Sequence, residues 1–482
     1  MQFRMISKIL GLMLMAFSLT LLSPILIASL YGELTHEAFF LSFAITFSLG
    51  MVLWLPYSRS KGDLRTRDGF LITSLFWTVL SLVGALPFML VDAVHIPFTD
   101  AVFESISGLT TTGATVLTGL DFLPKSILYY RQQLHWLGGI GIVVIAIAIM
   151  PMLGVGGMQL YKAETPGPVK DSKMTPRITQ TAKALFTIYL SLTVVCSLCY
   201  WVAGMTLFDA ITHAFSTIAT GGFANYDASM GYYDNPVILW LCIFFMTISG
   251  ISFGLHYYAW VKGSVVHYWR NSESKMYLNM IFGASLICCG YLYLTGTLSL
   301  HDSILHGIFQ LVSIMTSTGF ATVNFSAWPT FLPVFLIVLS FFGACAGSTG
   351  GGIKMGRMLI LAKQSLREIY RLIHPNAIYP IKMRSRTVPE RVADSVWAFF
   401  GVYLAVFYIL VLLLQVSGLD YLTAWSSTAA ALNNMGPGLG EAAAHYGEIN
   451  SMAKWLLSAA MIIGRLEIFT VLVLFTPMFW RR

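Results

Sequence analysis

The sequence predicts an all-α polytopic membrane protein built from four copies of one unit. Three observations lead there: a large apolar excess, basic residues gathered in alternate short connections, and a short helix-compatible run ending at glycine that recurs four times. Of 482 residues, 56% are hydrophobic and 11% charged, with a mean hydropathy of +0.73. A soluble domain carries about 25% charged residues, and lipid, unlike water, can cover so much apolar surface. A spanning helix needs roughly 20 mostly apolar residues; positions 9–30, 71–90, 136–153, 184–202 and 455–474 qualify. Backbone polar groups must be satisfied within the segment, which selects helices. The alternating segments of a β-barrel are missing from the sequence.

The net charge of +7 does not mark a nucleic-acid binder, because of where it falls. Basic residues cluster at Arg59, Lys61, Arg65 and Arg67; at Lys162, Lys170, Lys173, Arg177 and Lys183; at Lys262, Arg270 and Lys275; and from 354 to 391. Arg4, Lys8, Arg481 and Arg482 mark the ends, whereas the opposite connections hold only Lys125, Arg131 and Lys454. The positive-inside rule then puts both termini and the basic loops in the cytoplasm. The first apolar run exceeds a signal-peptide core and reads as a retained helix. Cys196, Cys199, Cys242, Cys288, Cys289 and Cys345 all lie in apolar stretches. The C-x-x-C spacing at Cys196 and Cys199 therefore reads as a core- or lipid-facing helix, not a metal or redox site.

The repeat begins with Asp100-Ala-Val-Phe-Glu-Ser-Ile-Ser-Gly-Leu-Thr-Thr-Thr-Gly113. It returns in the runs from Asp209 to Gly222, His306 to Gly319 and Thr423 to Gly436. About 13 residues are too few to span and suggest a re-entrant segment. Asp100 and Asp209 suit helix N-caps; Asp302 and Asp420 lie a few residues earlier in their units. Each unit reads as long helix, short re-entrant helix, extended loop, long helix, over 68–153, 178–262, 275–372 and 392–482, with 373–391 a basic linker. Glycine at the turn permits positive φ and close backbone approach. Small residues before it leave carbonyls free to point inward. Four such loops on one axis would form a ring of oxygens replacing the water shell of a dehydrated cation, with helix C-terminal dipoles favouring positive charge.

Four motifs carry a family resemblance: Ser107-Gly-Leu-Thr-Thr-Thr-Gly-Ala-Thr115, Ala219-Thr-Gly-Gly-Phe223, Gly347-Ser-Thr-Gly-Gly-Gly352 and Leu432-Asn-Asn-Met-Gly-Pro-Gly-Leu-Gly440. Over nearly the whole chain the sequence resembles the Trk/Ktr/HKT potassium transporters. The resemblance implies a homodimer in the bacterial inner membrane, each subunit with its own pore of four M1–P–M2 units behind an extra hairpin at 1–58. It implies a K⁺ filter centred on Gly113, Gly222, Gly319 and Gly436, flanked by Thr111, Thr112, Thr220, Gly221, Ser317, Thr318, Asn434 and Met435. K⁺ would be the permeant ion, with no organic cofactor in this chain. A ring-forming cytosolic regulator resembling TrkA, itself carrying NAD, ATP or ADP, would dock on the basic loops and on Arg481 and Arg482. Asn433, Asn434 and Pro437 depart from the other loops, so four identical filter quarters are not expected.

Residues 341–354 interrupt a long helix of the third unit. Adjacent glycines with Ser348 and Thr349 break a helix cheaply. Close helix packing by small residues is one reading. The resemblance implies the other, an intramembrane gating loop over 343–352 that includes Gly347, Ser348, Thr349, Gly350, Gly351 and Gly352. Arg465 lies in an apolar helix, where a charge is costly and usually faces a pore or partner. Either it bridges to another helix or it opposes cations beneath the filter, and Glu467 is not on its face. Glu104, His213, Gln310 and Ser427 occupy equivalent positions and are expected to hydrogen-bond behind the loops or reach the outer vestibule. His135, His256 and His267 lack metal-ligand spacing, and Asp92/His95 and Asp227/Asp234 are too isolated for an enzyme site. The basic stretch 363–391 suits anionic lipid or a cytosolic partner. The expected function is channel-like potassium uptake; the alternative is ion-coupled symport through the same pore.

Overall fold

The computed structural model describes residues 1–60, 62, 64–141, 178–329, 331–383 and 386–481. The predicted span 136–153 beyond 141, and Lys61, Lys162, Lys170, Lys173, Arg177 and Arg482, lie outside the described residues. Among the described residues, six helices are long and apolar enough to cross a membrane: Phe3–Tyr31, His36–Tyr57, Arg67–Leu90, Ala182–Val202, Ser272–Leu294 and Glu390–Val416. The protein is a multi-pass membrane protein.

Helices α1 (Phe3–Thr20) and α2 (Leu22–Tyr31) turn at Gly32, left-handed at φ 68°, into α3 (His36–Trp54). Glycines let α1 and α3 touch: a Cβ on Gly11 would lie 2.6 Å from the Gly50 oxygen, and one on Gly50 2.8 Å from the Gly11 oxygen. Such small-residue contacts drive helix association where no water is displaced. Helix α4 (Thr66–Gly84) and the short α5 (Leu86–Leu90) lead to α6 (Phe98–Leu109) and α7 (Lys125–Gly139). Glu33, in the hairpin turn, accepts the Lys125 and Ser126 N–H groups at 2.5 and 3.0 Å and so caps α7.

The second unit comprises α8 (Ile178–Val202), α9 (Leu207–Ala219), α10 (Pro236–Ser249) and α11 (Phe253–Lys262). After α12 (Val266–Arg270) come α13 (Ser272–Leu294), α14 (Leu300–Met315), α15 (Leu332–Phe342) and α16 (Met355–Ile373). The strands Lys382–Met383 and Arg386–Thr387 pair antiparallel in the basic linker, a small addition to an otherwise helical fold. The fourth unit has α17 (Glu390–Val416), α18 (Tyr421–Leu432), α19 (Ser451–Arg465), α20 (Phe469–Leu472) and α21 (Pro477–Trp480).

The short helices α6, α9, α14 and α18 hold 12, 13, 16 and 12 residues. At 1.5 Å per residue they reach roughly 18–24 Å, short of a ~30 Å hydrocarbon core. Their starts differ from the N-caps expected at Asp100 and Asp209. Thr206 and Ser299 are the caps, accepting the N–H of Asp209 and Asp302 in the third helical position, while Asp420 caps α18 itself. Asp100 lies inside α6 and pairs with Lys454 at 2.7 Å.

The helices after the loops are also short. The sequence pointed to one interruption, at 341–354; α10 and α11 meet at 94°, and α19 and Phe469–Phe475 at 106°, so 455–474 is a bent pair and not a straight span. In the second case the break has a visible cause. Glu467 takes φ 54°, outside the helical region, and its carboxylate reaches Arg357 at 2.6 Å. Gly11→Leu is expected to force α1 from α3 and cost about 1–3 kcal/mol, seen as a lower unfolding temperature in detergent.

Candidate ion pathway

All four short helices end in one motif. The N–H groups of Thr112, Gly221, Thr318 and Met435 return to the carbonyls of Ser107, Ser216, Ser313 and Ala430 at 2.8–2.9 Å. Those of Thr111, Thr220, Ser317 and Asn434 return to Gly108, Thr217, Ile314 and Ala431 at 3.0–3.2 Å. This nested pair is the Schellman cap, whose pivotal residue must be left-handed and is usually glycine. Here it is Thr111, Thr220, Ser317 and Asn434, at φ 54°, 51°, 58° and 50°. An L-residue there costs roughly 1–2 kcal/mol, and the branched threonines make it less comfortable still. Two residues on, Gly113, Gly222, Gly319 and Gly436 take φ 82°, 88°, 85° and 93°.

The loops then close on one another. A Cβ on Gly113 would overlap the Gly221 oxygen; on Gly222, the Thr318 oxygen; on Gly319, the Met435 oxygen; and on Gly436 it would come within 2.6 Å of the Thr112 oxygen. First touches second, second third, third fourth, and fourth first. The predicted filter residues are thus brought together as a ring of backbone. Thr111, Thr112, Thr220, Ser317, Thr318, Asn434 and Met435 are all buried. Asn434 repeats the cap but adds its own bonds, its Nδ2 donating to Thr112 Oγ1 at 3.0 Å and to the Met461 carbonyl at 2.9 Å.

Behind the ring the equivalent residues diverge. Glu104 accepts from Arg131 Nε at 2.8 Å, from the Val116 N–H at 2.9 Å and from the Thr115 hydroxyl. His213 donates from Nδ1 to the Asp209 carbonyl and accepts the Asn225 N–H at Nε2, and Asp209 holds Asn225 and Tyr226. Gln310 is buried with no hydrogen-bond partner among the described residues. Ser427, in α18, is buried as well.

Beneath the ring lies the interruption between α15 and α16. Its base pairs with itself through Ile353 N–H to Phe341 and Met355 N–H to Ala344, both at 3.1 Å. The Thr349 hydroxyl donates to the Ile218 carbonyl at 3.0 Å, and the Gly351 N–H donates to Ser317 Oγ at 2.5 Å. A Cβ on Gly350 would lie 2.6 Å from the Thr316 oxygen, and one on Gly351 would overlap the Asn433 oxygen. Gly347 and Gly352 take φ 77° and 79°, and Ser348 bonds back to the Cys345 carbonyl. Lys354 donates to the Gly350 carbonyl. Arg465 ties the last helix to this loop and to the first unit, donating to the carbonyls of Thr349 at 3.0 Å and Gly138 at 2.7 Å. Glu467 pairs instead with Arg357, as its place off the Arg465 face suggested.

Sequence reasoning missed Glu273, whose carboxylate accepts the N–H groups of Ala346 and Gly356 at 2.6 and 2.9 Å and so staples both ends of the loop. Nothing in its local sequence marks it, since both partners are backbone and far along the chain. It also missed the inward burial of Arg131 and Lys454, the two basic residues that looked like ordinary loop charges. No group of three His, Cys, Asp or Glu side chains positioned for a metal occurs among the described residues.

Four short helices whose loops close into one backbone ring inside a multi-pass bundle are the architecture of a membrane transport protein. The family model TrkH, described as a cation transport protein, matches residues 35–482, and the chain belongs to that family. It is 52% identical over 482 residues, all of both chains, to the Trk system potassium uptake protein TrkH of Halomonas elongata. It is 41% identical over 478 residues, 99% of each, to the Trk system potassium uptake protein TrkG of Escherichia coli. The crystal structure of the potassium transporter TrkH from Vibrio parahaemolyticus superposes with a TM-score of 0.91 at 49% identity, covering both chains fully.

Gly351→Val is expected to push the loop off the Asn433 carbonyl and uncover Cys345, which is 1% exposed. Maleimide labelling of Cys345, located by mass spectrometry, should quicken by roughly tenfold or more, the change a ~1.4 kcal/mol shift in the loop equilibrium produces.

Proposed function

We propose that this chain is the pore subunit of a potassium uptake system of the bacterial inner membrane. The closed ring Gly113–Gly222–Gly319–Gly436 carries the reading, because backbone oxygens gathered where four loops meet can replace an ion's water shell. The named activity of its relatives, potassium uptake, supports the choice of ion. Thr111, Thr112, Thr220, Gly221, Ser317, Thr318, Asn434 and Met435 supply the filter walls. Inside-negative potential drives entry with ~2.3 kcal/mol per charge per 100 mV.

The loop from Gly347 to Gly352 is the gate, and Arg465 is its bolt. The guanidinium's bonds to the carbonyls of Thr349 and Gly138 join the first, third and fourth units, which supports this role. A fixed positive charge there opposes a cation and holds the loop closed. The basic cytoplasmic loops and the C-terminal end receive a nucleotide-binding regulator of the TrkA kind, and two copies of the chain associate, each with its own pore. Both termini face the cytoplasm, as the charge asymmetry supports.

Liposomes containing only this chain test the reading by isotope or fluorescence flux of K⁺, Rb⁺, Na⁺ and Li⁺. K⁺ and Rb⁺ should enter and Na⁺ and Li⁺ lag; equal rates for all four overturn it. Gly113→Ser, which drives a side chain into the Gly221 carbonyl, should abolish the preference. Arg465→Ala should raise K⁺ flux by roughly tenfold, the equivalent of ~1.4 kcal/mol off the barrier. Unchanged flux in well-folded protein would remove Arg465 from the gate.

A further inference from the structure

Helix α7 belongs to the first unit, yet two of its side chains grip the loop of the second. Phe223 follows directly on Gly222. Its ring is held between the Arg131 guanidinium, 4.2 Å from the ring centre, and the His135 imidazole, stacked at 4.1 Å and 16°. Arg131 and His135 are one helical turn apart, so they present one face. The same guanidinium donates from Nη1 to the Ala224 carbonyl at 3.1 Å, fixing the backbone beyond the ring. His135 Nδ1 lies 3.0 Å from Ser216 Oγ on α9, and its ring fills the place a Gly221 Cβ would take. Arg131 is itself aimed from the other side: Nε donates to Glu104 on α6 and Nη2 to Thr115 Oγ1 in the first loop at 3.0 Å. Arg131 and Glu104 are 1% and 0% exposed, so water does not soften the pair.

We propose that Arg131, held by Glu104 and assisted by His135, is a positioning residue that sets the spacing between the first and second filter loops and thereby the ring's discrimination among alkali ions. A fork of five donors and a flat stacking face do this together, which an ammonium cannot. The proposal rests on the pore reading above.

The test compares the Rb⁺/Na⁺ flux ratio in liposomes for the wild type, Arg131→Lys, Phe223→Leu and Phe223→Tyr. Phe223→Leu leaves the ion pair and all its hydrogen bonds in place, so it is the variant least exposed to misfolding. Arg131→Lys and Phe223→Leu should lower the ratio by roughly tenfold while remaining monodisperse in detergent, and Phe223→Tyr, which keeps the stack, should keep the ratio. Folded Arg131→Lys and Phe223→Leu proteins as selective as the wild type overturn this inference alone. A wild type that carries neither Rb⁺ nor K⁺ overturns the pore reading and this inference with it.

Discussion

The structure depends on one constraint: four glycine α-carbons must each accept a neighbour's carbonyl oxygen at a distance no side chain tolerates. Around Gly113, Gly222, Gly319 and Gly436 that contact runs full circle. Each loop is therefore located by the next, and no quarter can shift alone. The helices that carry the loops are short because they must stop at this level. Their ends are tight because the chain must reverse within three residues, which is why Thr111, Thr220, Ser317 and Asn434 sit in a conformation they would otherwise avoid.

Two layers of contacts hold these residues there. Behind the ring, the units differ: a charged brace at Glu104 and an imidazole and carboxylate network at His213 and Asp209 make hydrogen bonds, whereas the Gln310 amide is buried with no hydrogen-bond partner among the described residues and Ser427 offers a small buried hydroxyl. Beneath it, one loop touches the ends of the second, third and fourth short helices, and Arg465 carries its hold across to the first unit. The backbone symmetry is thus supported by side chains with no symmetry at all, as expected when four quarters share one chain and can vary separately.

That contrast explains what the sequence made legible. Periodic features of the backbone were readable: the apolar spans, the four short runs, the glycine closing each, and the interruption at 341–354. The cap residue was not, because threonine and serine give no local sign of positive φ; the signal lay only in their shared place two residues before each glycine. Charge asymmetry put Arg131 and Lys454 among the outer connections but could not show that both turn inward to Glu104 and Asp100. The bends at α10/α11 and after α19 were hidden because hydropathy averaged over each pair stays high enough for one span, in spite of Ser249 and Ser252 at the first break and Arg465 and Glu467 at the second. Glu273 was invisible for a simpler reason, since its partners are amides brought near only by folding.

Those bends have a mechanical meaning. A continuous helix is a stiff rod that passes torsion from one end to the other. A helix cut at Gly250–Ser252, at Gly343–Lys354 or at Leu466–Ile468 does not. At each cut a turn, and not a run of helical hydrogen bonds, joins one half to the next, so each half takes its direction from its own neighbours.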